Sequence, residues 1–228
     1  MKGIFYGISV GPGDPELLTR KAVRVIEACS ILATPQTKGE KTLALDIAAS
    51  AVELSGKTIL PISFLMTRDK ELLRKSHEQA ADAIAAYLDA GQDVGMLNLG
   101  DVSIYSTFSY VYDILKERGY ETEIIPGVPS FCAVAAKLGQ GLTEMGKPLH
   151  IIPASHDGLA ESLSYPGTHI LMKTGKAMPE VKRALKEAGL YEKASMVANC
   201  GLPDEQVCYS LDDAAEDAGY FTTILVKD

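Results

Sequence analysis

The glycine turn Gly11-Pro12-Gly13-Asp14 does not end in Gly-Lys-Ser or Gly-Lys-Thr, which excludes a nucleotide P-loop there. Cysteine is scarce: Cys29, Cys132, Cys200 and Cys208 show neither metal-ligand spacing nor a paired framework. Cys29 and Cys132 fall in helical apolar surroundings and read as small core residues, and a reducing cytoplasm fits all four. The four histidines, His77, His150, His156 and His169, have no ligand-spaced partners, so no metal is expected. Positive charge is in deficit, with 22 basic against 30 acidic residues, a net charge of -8 and no basic run. That disfavours nucleic acid as a partner, although an anionic small molecule needs only a local basic patch. No apolar run is long enough to span a bilayer. Met-Lys-Gly leads into a strand without a signal-peptide core, so a cytoplasmic location with no membrane partner is expected. Repeats and low-complexity stretches are absent.

What the chain does have is a specified turn. An apolar run, Ile4 to Val10, suits a buried strand. Gly11-Pro12-Gly13-Asp14-Pro15-Glu16 follows, and then Leu17, Leu18, Ala22, Val25 and Ile26 at helical spacing. The glycines let a ligand approach the backbone, while Asp14 reads as an N-cap with Pro15 at the first helical position. A carboxylate there competes with phosphate, so the turn suits a ligand that is neutral or cationic where they meet. A second turn of this kind, Leu99-Gly100-Asp101-Val102-Ser103-Ile104-Tyr105-Ser106-Thr107, joins a predicted strand at Val94 to Leu97 to a helix ending near Gly119. Two such turns imply a crevice at the carboxyl edge of an open α/β sheet.

Strand and helix signals alternate up to about Gly127, including a long helix from Glu71 to Ala90 with a stripe of Leu73, His77, Ala81, Ile84 and Leu88. Beyond Pro126, strand-like runs at 149–152, 169–173, 194–199, 206–209 and 221–226 lie closer together. The turn Gly201-Leu202-Pro203-Asp204 suits a hairpin, and hence a mixed sheet. The expected architecture is therefore α/β with two domains, a mostly parallel sheet in 1–126, a mixed sheet in 127–228 and the ligand cleft between them.

Gly11-Pro12-Gly13-Asp14-Pro15, Gly100-Asp101 and Pro126-Gly127-Val128-Pro129-Ser130 resemble, in order and spacing, three motifs of the tetrapyrrole (corrin and porphyrin) methyltransferases. The resemblance runs from Tyr6 to Val226. It is strongest to the branch that methylates ring position 20 of precorrin-2 or cobalt-precorrin-2 in cobalamin synthesis. That branch is similar in Tyr105-Ser106-Thr107, in Ser130-Phe131 and in the closing Tyr220 to Val226. Ser9, where many members carry glycine, and Leu65, where the branch has proline, depart from the pattern. Val102 stands where most other branches have proline, which argues against transfer to another corrin position.

The resemblance implies S-adenosylmethionine as methyl donor, a tetrapyrrole substrate and a homodimer, which the slightly positive mean hydropathy of +0.06 matches. It also implies a cofactor site. Pro12 would line it, the backbone of Leu99, Gly100 and Asp101 would hold the methionine portion, and Ile104, Tyr105, Ser106, Ser130 and Phe131 would flank it. Met172, Asn199 and Thr223 would approach the adenosine. No catalytic side chain is singled out, which accords with a methyl donor already activated and a nucleophilic ring carbon that need chiefly alignment. Lys38, Lys41, Arg68 and Lys147 are the candidates for a basic rim that grips substrate carboxylates. Other readings are a ribosomal RNA methyltransferase, which the acidic charge disfavours, a diphthine-type methyltransferase, and a non-catalytic tetrapyrrole- or nucleotide-binding module.

Overall fold

The computed structural model describes residues 1–36, 43–65, 67, 69–155 and 157–227. The chain divides into two compact units, Met1–Pro129 and Ser130–Asp228.

In the first unit, strands β1 (Phe5–Ser9), β2 (Ile31–Gln36), β3 (Thr58–Ser63), β4 (Val94–Asn98) and β5 (Thr122–Ile125) form one sheet in the order β3-β2-β4-β1-β5. Every pairing in it is parallel. Such a sheet needs cover on both faces, and the side chains divide accordingly. Ile8, Val10, Leu32 and Leu97 pack with α1 (Arg20–Ala28) and α2 (Leu43–Ala51). Phe5, Ala33, Val94 and Met96 pack with α3 (Lys70–Asp89) and α4 (Phe108–Glu117). Gly7 faces α4 so closely that a Cβ there would lie 2.3 Å from the Phe108 ring.

The first helix starts later than its sequence pattern suggests. Asp14 accepts from the Glu16 amide but caps only a 3-10 turn, Pro15–Leu17. Leu18 and Thr19 are extended, and the Thr19 hydroxyl, accepting from Ala22 N at 3.1 Å, caps α1. A second good N-cap residue five positions on takes over the helix start.

The second unit holds strands β6 (Leu149–Pro153), β7 (Thr168–Met172), β8 (Ala194–Ala198), β9 (Gln206–Cys208) and β10 (Thr222–Val226), in the order β6-β7-β10-β8-β9. Only β6 and β7 are parallel; β10 runs antiparallel to β7 and β8, and β8 to β9. The sheet is mixed, and the 201–204 turn makes the expected hairpin. Helices α6 (Leu159–Ser162) and α7 (Met178–Glu187) cover one face through Leu171, Met196 and Ile224. Helix α5 (Ser130–Leu138) packs against β8 and β10. Cys132 is exposed, against expectation: α5 buries Phe131, Val134, Ala135 and Leu138, and Cys132 lies off that stripe. Among the described residues no helix is long and apolar enough to cross a membrane.

Candidate functional site

Strands β4, β1 and β5 are neighbours and parallel, so their carboxyl ends bring the three glycine motifs to one edge of the first sheet. The connection after β1 leaves toward β2 and that after β4 toward β5, on opposite faces, which is the topology that opens a ligand crevice.

The motifs are bonded to one another. Gly11 and Gly100 form an isolated antiparallel bridge, with Gly100 N donating to Gly11 O at 2.7 Å and Gly11 N to Gly100 O at 3.2 Å. Both need the left-handed backbone, at φ 77° and 70°, which only glycine adopts without strain. Ser9, fully buried at the end of β1, accepts from Val102 N at 2.9 Å. The Asp101 carboxylate accepts from Gly127 N at 2.8 Å, from Ser103 N at 2.8 Å and from the Ser103 hydroxyl. Burial alone would raise the Asp101 pKa, but the hydrogen bonds from Gly127 and Ser103 outweigh it and hold the group below its ordinary value. A Cβ on Gly127 would fall 2.4 Å from that of Ser9 and 3.1 Å from Gly100 O, so the third turn fits only without a side chain.

Beyond Asp101 the loop turns outward. Tyr105 sits at φ 50° and is 41% exposed. Ser106 donates to Asn98 Oδ1 at 2.9 Å and accepts from Phe108 N at 3.2 Å, tying the strand end to the start of α4. Pro12 is buried, while Leu99 and Ile104 are half-buried.

In the second unit, β10 antiparallel to both β7 and β8 sets Thr223 opposite Met172 and Thr222 opposite Ala198. Met172, Asn199 and Thr223 therefore meet at one sheet edge. The residues just past β7 and β8, Lys173 and Asn199, are both left-handed, at φ 58° and 53°. Asn199 donates to Asp204 Oδ2 at 2.7 Å. The buried Thr174 hydroxyl has no hydrogen-bond partner among the described residues. Ser130 opens α5 half-buried and Phe131 is in the core. Of the basic-rim candidates, Lys147 is exposed and 3.8 Å from Glu144, while Lys38, Lys41 and Arg68 lie outside the described residues, as does His156.

The tetrapyrrole (corrin/porphyrin) methylase family model matches residues 5–215. The chain belongs to that family. Among its curated relatives, a probable cobalt-precorrin-2 C(20)-methyltransferase of Methanocaldococcus jannaschii is 37% identical over 89% of this chain and 85% of its own. The cobalt-precorrin-2 C(20)-methyltransferase of Salmonella typhimurium is 33% identical over 100% of this chain and 97% of its own. Among solved structures, a cobalt precorrin-4 methyltransferase is similar in fold, with a TM-score of 0.76 at 22% identity over 98% of this methylase and 94% of that chain.

Sequence reasoning found the glycines and Asp101 but gave Ser9 and Asn98 no bonding role. Ser9 and Asn98 are the polar ends of otherwise apolar strands, and that interruption is the signal that could have marked them.

Proposed function

We propose that this protein methylates position 20 of precorrin-2 or cobalt-precorrin-2 with S-adenosylmethionine, in cobalamin biosynthesis, as a cytoplasmic homodimer. The observation that carries the reading is the single cradle formed by the three motifs around Gly11, Gly100 and Gly127, in a chain whose nearly full-length relatives bear that activity in their names.

The site fits the donor. Its turn is edged by the Asp14 and Asp101 carboxylates, and Asp101 is held ionised, which suits a cationic sulfonium and amine rather than a phosphate. When bound, S-adenosylmethionine supplies a methyl group already activated for transfer. The chain's part is alignment, worth up to roughly 7–11 kcal/mol of barrier where geometry is close to ideal. The Gly11–Gly100 bridge fixes the loop that holds the methionine portion, through the backbone of Leu99, Gly100 and Asp101 beside Pro12. Ile104, Tyr105, Ser106, Ser130 and Phe131 flank it. Met172, Asn199 and Thr223 form the adenosine-contacting edge of the second unit, where Thr174 supplies an unused hydroxyl. Lys147 contributes to the grip on substrate carboxylates.

The test is incubation with methyl-labelled S-adenosylmethionine and precorrin-2, with and without cobalt, read by mass spectrometry. A product heavier by one methyl group at position 20 is expected. Cofactor binding with no transfer to either tetrapyrrole would instead fit the non-catalytic module and overturn the proposal.

A further inference from the structure

Helices α3 and α4 start from the same sheet edge as the glycine motifs, because they follow β3 and β4. Their first turns do not close on each other. They enclose a groove of about 760 Å³, within the range of small-molecule sites, whose lining is mostly apolar. Its position is continuous with the second motif, since Thr107, two residues past Tyr105, lies in its wall.

The groove has a flat aromatic surface. His77 stacks on Tyr110 with ring centroids 4.5 Å apart and planes 4° from parallel. Burial keeps the His77 pKa below its ordinary value, favouring the neutral ring. Tyr110 is nonetheless 55% exposed and Leu65, on the adjoining loop, 51% exposed. Two large apolar side chains left open at the edge of a ligand site call for a cover. Lys70 and Arg74, one turn apart on α3, line the same groove. Arg74 is held by Glu78, and Asp113 contributes one negative charge, so the cations are two point contacts rather than a field.

We propose that this groove is the resting surface of the tetrapyrrole, its ring system lying against Tyr110 and Leu65 while Lys70 and Arg74 each take a peripheral carboxylate. The inference rests on the function proposed above and extends it by placing the substrate on the first unit. A planar conjugated ring rimmed with carboxylates matches both an aromatic, apolar floor and two cations at the margin. A second copy of the chain would also bury apolar surface, and its effect on the dimer mass separates that case from the substrate.

The experiment compares the wild-type protein with Tyr110→Ala, Leu65→Ser and the double variant Lys70→Ala/Arg74→Ala, all at exposed positions. Tyr165→Ala, an exposed tyrosine of the second unit, is the control. Uroporphyrin III, a stable tetrapyrrole octacarboxylate, is the binding probe, followed by fluorescence. Methyl transfer to precorrin-2 or its cobalt form gives KM and kcat. The groove variants should weaken uroporphyrin binding and raise KM by about tenfold or more, the scale of a lost aromatic or charged anchor, with cofactor affinity unchanged. Tyr165→Ala should match the wild type. Wild-type transfer with unchanged uroporphyrin binding and KM in all groove variants would overturn this placement and leave the function standing. A loss confined to dimer mass by light scattering would assign the groove to a second copy and equally overturn it. Absence of any transfer by the wild type would remove the function, and this inference with it.

Discussion

Asp101 carries more of the site than any other side chain. It spans two motifs by receiving donors from Ser103 and Gly127, and two carboxylate oxygens are needed to do so. Asp101→Asn keeps the shape but offers one acceptor oxygen, so one junction must break. A hydrogen bond to a charged group is worth about 1.5–3 kcal/mol, and cofactor affinity measured by calorimetry should fall about tenfold or more. Because the folded pKa is depressed, the junction's contribution is complete above the ordinary aspartate value of about 3.9. It is lost as pH falls through the lower folded value. Cofactor affinity of the wild type should therefore hold from neutral pH to near 4 and collapse below it, with no such step in Asp101→Asn. A similar step in both proteins would place the titrating group elsewhere. Gly100→Val forces a β-branched residue into a left-handed backbone at about 1–2 kcal/mol, and a folded variant should bind cofactor more weakly in the same assay.

At the scale of elements, the third turn fits the first strand by subtraction. Gly127→Ala should abolish cofactor binding, because its Cβ meets Ser9. Adding Ser9→Gly removes the clash, at the cost of the Ser9–Val102 hydrogen bond, and should restore part of the affinity; no restoration would show that the Ser9 clash is not what limits binding. Phe108→Ala empties the space over Gly7 at a cost of about 3–5 kcal/mol, read as a lower denaturant midpoint. The elements themselves were legible in the sequence, since apolar periodicity and glycine stops are local signals, and the motif turns were marked by residues with few other uses. The start of α1 was less so, because Asp14 and Thr19 are both competent caps and only tertiary packing chooses between them. The apolar stripe through Leu73 and His77 is half-buried, and at the first turns of α3 it lines an open groove. Periodicity reports which face is apolar, not whether anything covers it. The bond from Ser9 to Val102 joins residues far apart in the chain, and no local pattern announces it.

For the whole molecule, the net charge of -8 opposes a polycarboxylate substrate, and contacts with a few cations must overcome it. Substrate affinity should fall as salt rises, because exposed charges are screened over about 8 Å at physiological ionic strength, whereas cofactor affinity should change much less. Equal responses would remove the basic rim from the account. Light scattering at micromolar concentration should give the mass of a dimer, and a monomer unaffected by cofactor would exclude one.

The order of strands in the first sheet bears on how the protein is made. Phe5 in β1 pairs with Val94 on one side and Thr122 on the other, so this interior strand is synthesised long before either neighbour exists. Until β4 and β5 leave the ribosome, its apolar run has no partner, and long-range parallel pairing is slow even then. The second unit asks less, since β8 and β9 join through a short hairpin. Nascent chains halted after β3 should therefore remain protease-sensitive and engage holdase chaperones through β1. Those halted beyond β5 should become resistant at once, the ligand edge appearing in the same step as the sheet.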